Sequence, residues 1–149
     1  MNVSLERLLD HDLWANGLTQ QHISSQERVP TRVLELMAHI ASVHRLFLSR
    51  AGAGQEMPVW PDPTSIDIQA ELLRARRDWQ GLLDRIPGDQ SIEYTNSDGE
   101  AWTSRLDDLA THVAVHGAYH RGQIATLLGQ AGLKAPYTDY VEATRRGLI

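Results

Sequence analysis

Leu5, Leu8, Leu9, Leu13, Trp14 and Leu18 recur at helical steps with charged and amide residues between them, a period that predicts an amphipathic helix over residues 3–23. Asn2 or Ser4 is the candidate N-cap. Over residues 31–51 the pattern changes. Leu34, Leu36, Met37, Ile40, Val43, Leu46 and Phe47 cover several faces, so this second helix is expected to be surrounded by others. Pro30 precedes it and Gly52-Ala53-Gly54 ends it. Pro58, Pro61 and Pro63 around Trp60 predict an extended loop over residues 55–64. A third helix is expected from Thr64 or Ser65 to Ile86, with Ile68, Leu72, Leu73, Trp79, Leu82 and Leu83 as its apolar positions and Pro87-Gly88 as its stop.

The tetrad Asn96-Ser97-Asp98-Gly99 lies between β-tolerant flanks, which predicts a short hairpin around residues 92–102. A fourth helix is expected from near Ser104, where Asp107 three positions on gives a capping-box pattern, to Gly132. Pro136-Tyr137-Thr138-Asp139 leads into a short C-terminal helix through Arg146. Four long helices with short links predict an all-α, up-down four-helix bundle forming a single domain over residues 1–149. The chain has no internal repeat or low-complexity tract that would divide it.

Composition narrows the chemistry. Apolar residues make up 42% of the chain and charged residues 22%, the balance of a globular protein. The net charge of −5, with arginines scattered, argues against a surface that tracks nucleic-acid phosphates. The first seven residues lack a basic-then-apolar signal pattern, and no apolar run is long enough to span a membrane, so a cytoplasmic location is expected. With no cysteine, disulfides, zinc–thiolate sites and a cysteine nucleophile are excluded. Any metal must be held by imidazole, carboxylate or water.

Imidazole is the conspicuous resource. His112, His116 and His120 are three of the seven histidines and stand at strict four-residue spacing. On a helix each step advances roughly 400° and about 6 Å, so the three rings share a face. Two neutral imidazoles so spaced converge on one divalent cation in helical H-x-x-x-H sites. The outer two start about 12 Å apart, so one adjacent pair plus a ligand from another helix is the better geometry. Leu109, Val113 and Ile124 share the face, so the three rings are expected to point inward, as metal ligands or as hydrogen-bonded core histidines. His39, between Leu36 and Val43 on the second helix, is the strongest third candidate. His11 is weaker, and His22 sits among polar residues at a helix end. His44 lies roughly 140° around the helix from His39, so the two do not face one ion. Three imidazoles leave coordination positions open, as in catalytic sites, and zinc, nickel and iron all accept them.

Other chemistries find no support. Ser42, Ser49 and Ser104 lack a G-x-S-x-G context, and Gly52-Ala53-Gly54 is no phosphate loop. Asp107-Asp108 sits in a first helical turn, where the helix dipole accounts for it. Arg121 and Tyr119, beside a candidate ligand, are expected to be a surface arginine and a packing tyrosine.

The run from His112 through His116-Gly117-Ala118-Tyr119-His120-Arg121-Gly122-Gln123 resembles the signature of the DinB-like (DinB/YfiT-type) metal-binding four-helix proteins. Trp14-Ala15-Asn16 is similar to a first-helix motif of that family, and Met37-Ala38-His39-Ile40 to its second-helix histidine segment. Asp98-Gly99-Glu100-Ala101-Trp102 and Pro136-Tyr137-Thr138-Asp139-Tyr140 resemble its later segments, so the likeness runs along essentially the whole chain. It implies a divalent metal held by His39, His116 and His120, with His112 as a neighbour. His11 stands where the family often has tyrosine, and His44 where it often has an acidic residue. The resemblance further implies a small-molecule substrate, a low-molecular-weight thiol or water as the activated group, and a homodimer. Transferase or hydrolase chemistry on an electrophile is the activity it suggests. The alternative is a non-catalytic metal- or ligand-binding stress-response protein. Neither nucleic acid nor membrane is implied as a partner.

Overall fold

The computed structural model describes residues 3–149, with side chains from Leu5 onward, so the N-cap candidates Asn2 and Ser4 lie outside the described side chains. Helices α1 (Val3–Ser24), α2 (Thr31–Arg50), α3 (Ile68–Leu83) and α4 (Leu106–Gln130) form the bundle. Strands β1 (Ser91–Thr95) and β2 (Ala101–Arg105) precede α4, and a short α5 (Tyr140–Arg145) follows it. The chain is all-α apart from that hairpin, as the hydrophobic spacing predicts. No helix among the described residues is long and apolar enough to cross a membrane.

Two boundaries differ from expectation for local reasons. Asp62 accepts from the Thr64 amide at 2.8 Å and the Thr64 hydroxyl at 2.7 Å, which holds residues 62–65 in a turn. Helix α3 therefore begins later, at an N-cap where Asp67 Oδ1 accepts from the Ala70 amide at 3.0 Å. The capping box at Ser104 does not form. Ser104 is paired with Ile92 in the hairpin, and the Asp107 carboxylate is taken by Arg105 at 2.7 and 2.9 Å. The turn follows the sequence closely: Asn96 Oδ1 accepts from the amides of Asp98 and Glu100, and Gly99 adopts φ +81°.

Two apolar clusters fill the bundle. One holds Leu5 and Leu9 of α1, Val43 and Leu48 of α2, Trp79 and Leu82 of α3, and Leu106 to Val113 of α4. The other holds Ile23, Val33 to Ala41, Ile68, Leu72, Ile124 and Leu128. The order in which each helix meets the two clusters gives its direction. Helices α1 and α4 run one way and α2 and α3 the other, so the four-helix bundle holds but the up-down alternation expected from short links does not, the 51–67 connection being long enough to return along the bundle. The packed neighbours are α1–α4, α4–α2, α2–α3 and α3–α1, so the consecutive helices α1 and α2 sit nearly on a diagonal. Because α2 and α3 run in the same direction, residues 51–67 must travel back along the bundle, roughly 30 Å for a helix of this length. That return carries the proline-rich loop past the middle of α2. The middle is also where the clusters part and where the buried polar residues Asp12, Asn16, His39, His44, His120 and Arg121 lie.

Candidate metal centre

His39 projects from α2 and His116 and His120 from α4, and their ring nitrogens converge. His116 Nε2 lies 3.1 Å from His39 Nε2 and 3.0 Å from His120 Nε2, and the three atoms fall within 4.8 Å of one another. The outer nitrogens decide the tautomers. His39 Nδ1 stands 2.7 Å from the Val59 carbonyl oxygen, an acceptor only, so it donates there and leaves its Nε2 lone pair facing inward. His120 Nδ1 donates to Gln123 Oε1 at 2.7 Å, because the Gln123 amide nitrogen is directed to the Tyr119 hydroxyl at 3.3 Å. Two inward lone pairs therefore flank His116 Nε2. One proton on His116 satisfies only one of them.

A cation at the point where the nitrogens meet could satisfy all three. Three nitrogens about 2.0–2.1 Å from a tetrahedral ion stand about 3.3 Å apart, close to the 3.0 and 3.1 Å that separate His116 from its two neighbours. Burial and the neighbouring imidazoles of His120 and His39 push the His116 pKa down to about 3. Burial also lowers His39, against the opposing effect of its bond to Val59. His39 and His116 are thereby held in the neutral form that ligates metal. The donor set thus fits a divalent ion.

The surroundings fix the rings. The Ser42 hydroxyl also reaches the Val59 carbonyl, at 2.6 Å, and locks the return loop against α2. Trp60, next along the loop, stacks face to face on His39 with centroids 3.7 Å apart. Arg32 covers the far face of Trp60 at 4.5 Å. A backbone carbonyl leaves no trace in a sequence, so Val59 was not foreseeable; Gln123 lies within the α4 signature run.

The remaining histidines separate. His112 does not point inward as its spacing suggests: it is solvent-exposed, with its ring 4.8 Å from Phe47 and 5.9 Å from His116. His11 turns away from the centre and donates to the Thr138 carbonyl at 2.8 Å, fastening α1 to the C-terminal segment. His44 enters a different buried system. Its Nδ1 accepts from the Trp79 indole at 3.2 Å, so its Nε2 donates to Asp12 Oδ2 at 2.9 Å. Asp12 Oδ1 pairs with Arg121 at 3.1 Å, and the same Arg121 nitrogen donates to Asn16 Oδ1 at 2.6 Å. Arg121 is thus no surface residue, being 7% exposed, whereas Tyr119 is 65% exposed with its ring against the edge of His120. This chain of bonds ties all four helices together directly beside the histidine cluster.

The DinB family profile matches residues 1–146. The chain belongs to the DinB family. Among curated proteins, Protein DinB of Bacillus subtilis (strain 168) is 37% identical to it over 49 residues. That stretch covers 33% of the chain and 28% of the relative, so the likeness reaches well under two thirds of that protein. No solved structure matches. In DinB-family terms, the structure supplies a reason for the glycine and arginine between and after the paired histidines. Gly117 leaves room for the Asp12 carboxylate against α4, and Arg121 neutralises it.

Proposed function

We propose that this DinB-family chain is a divalent-metal-dependent enzyme in which His39, His116 and His120 hold the ion and leave coordination positions open. The observation that carries the reading is the tautomer pattern. Two Nδ1–H groups are committed to Val59 and Gln123, so two lone pairs are aimed at one point with no proton donor sufficient for both. A divalent ion bound there supplies Lewis acidity and lowers the pKa of a thiol or water in an open position. The protein holds His39 and His116 neutral, orients His39 through the loop carbonyl and His120 through Gln123, and shields one face of His39 with Trp60. An ion held there would make a bound thiol or water, its proton lost to solvent, a better nucleophile toward an electrophilic small molecule. Zinc, nickel and iron each suit three imidazoles.

Elemental analysis of the purified protein tests the first half. About one first-row metal per chain in wild type, lost in His39→Ala, His116→Ala and His120→Ala, supports it; wild type without metal after reconstitution overturns it. Thermal shift against low-molecular-weight thiols and electrophiles tests the second half. Stabilisation by a thiol only when metal is loaded supports the enzyme, and indifference to every thiol and electrophile points to a non-catalytic binding protein instead.

A further inference from the structure

The histidine centre carries no negative charge of its own. Its three candidate ligands are imidazoles and none is a carboxylate, and two arginines stand beside the neighbouring rings: Arg32 over Trp60, which stacks on His39, and Arg50 over Phe47, which meets His112. The two arginines differ. Arg32 is already paired with Glu35 at 2.9 Å. Arg50, at the end of α2, makes no ion pair within 4.0 Å among the described residues. Its one side-chain hydrogen bond there is a long one, 3.4 Å, to Ser97 of the hairpin turn.

Arg50 is nevertheless held in place. Its guanidinium lies over the Phe47 ring at 5.0 Å and over the Tyr94 ring at 5.2 Å, a two-ring clamp built from α2 and β1. Phe47 in turn meets His112 at 4.8 Å, and His112 meets the ligand His116 at 5.9 Å. A run of tilted ring contacts therefore leads from an unpaired cation toward the histidine centre. Guanidinium edges present parallel N–H groups that match a carboxylate, and clamping the plane removes much of the entropy lost on binding.

We infer that Arg50 is the anion-binding subsite of this centre, so that the molecule it activates carries a carboxylate several bonds away from its thiol. The inference rests on the proposed metal-dependent activation of a thiol and adds the chemical class of that thiol. His112 and Phe47 form the wall along which the intervening chain lies.

Calorimetric titration of the metal-loaded protein separates the two ideas. The probes are mercaptopropionate and mercaptohexanoate, each against the alcohol of equal length, in wild type and in R50Q, with metal content verified in both. The expected result is a preference of about fivefold to tenfold for a carboxylate over its alcohol in wild type, greater for the longer chain and weakened by salt. R50Q should abolish that preference while leaving the affinity for the alcohols unchanged. If thiols bind but wild type does not distinguish acid from alcohol, or R50Q keeps the preference, the Arg50 subsite is wrong and the metal–thiol reading stands. If no thiol binds the loaded protein, the thiol reading falls, and the subsite falls with it.

Discussion

Gly117 and Asp12 are packed so closely that a Cβ on the glycine would overlap the carboxylate oxygen of the aspartate. The Arg121 guanidinium and the Asn16 amide would stand 3.2 and 3.4 Å from the same atom. Alanine is the better helix former by about 1 kcal/mol, so in an open position Gly117→Ala would stabilise α4. Here the overlap is with a buried ion pair that has nowhere to move. The expected outcome is a net loss of about 2–3 kcal/mol in chemical denaturation. A gain in stability would show that α1 and α4 are not in this contact.

Removing one member of that pair has a larger effect than removing its geometry. Asp12→Ala leaves Arg121 buried and unpaired and takes the acceptor from His44, so a loss of about 3–5 kcal/mol is expected. The double variant Asp12→Ala, Arg121→Met should recover part of it, because no lone charge stays inside. Urea midpoints of wild type, Asp12→Ala, Arg121→Met and the double variant measure the coupling, and strict additivity of the single effects would contradict a direct pair.

Gln123 is not among the proposed ligands but sets the ring of one of them, His120. Gln123→Ala frees His120 Nδ1, and metal affinity is expected to fall by about 10–100-fold with little change in fold. His112→Ala, by contrast, should leave metal content untouched. Competition with a chromogenic chelator gives both numbers; equal losses in the two variants would mean that all three α4 histidines share the ion.

Acid should act on the metal-free protein through His39 and His116. Both have folded pKa values below the ordinary 6.5, so between about pH 6.5 and the depressed values the unfolded chain binds protons that the folded chain does not. Stability then rises with pH and is lost on acidification, by up to about 1.4 kcal/mol per pH unit for each such histidine. Denaturation in a chelator at about pH 7 and about pH 5 tests the sign. His116→Ala should flatten the slope.

Hydrophobic spacing predicted the helices well because each buries a face whose period is written in its own residues. The direction of α3 is different in kind. It depends on the path of residues 51–67, and nothing in the periodicity of Ile68, Leu72 and Leu82 distinguishes a helix running up from one running down. The same return path delivers the Val59 carbonyl and the Trp60 ring to His39, so those partners were as hidden as the path. Ser104 gave a false helix start because a cap pattern is local, while its pairing with Ile92 is not. Arg121 was expected at the surface because its partner lies 109 positions away in the chain. The convergence of His39 with His116 and His120 was legible once spacing was joined to family likeness. His112 shared the spacing, but its ring leans on Phe47 and away from the point where the others meet.

The buried chain from Trp79 through His44, Asp12 and Arg121 to Asn16 is bonded from member to member without help from the histidine centre. Small zinc domains that fold only around their ion have no such brace. In this bundle, assembly of the polypeptide would therefore not wait on the proposed ion. Different metals could then be exchanged into one finished scaffold, and the ion carried would be set by supply and affinity at the moment of loading rather than by what was present when the chain folded.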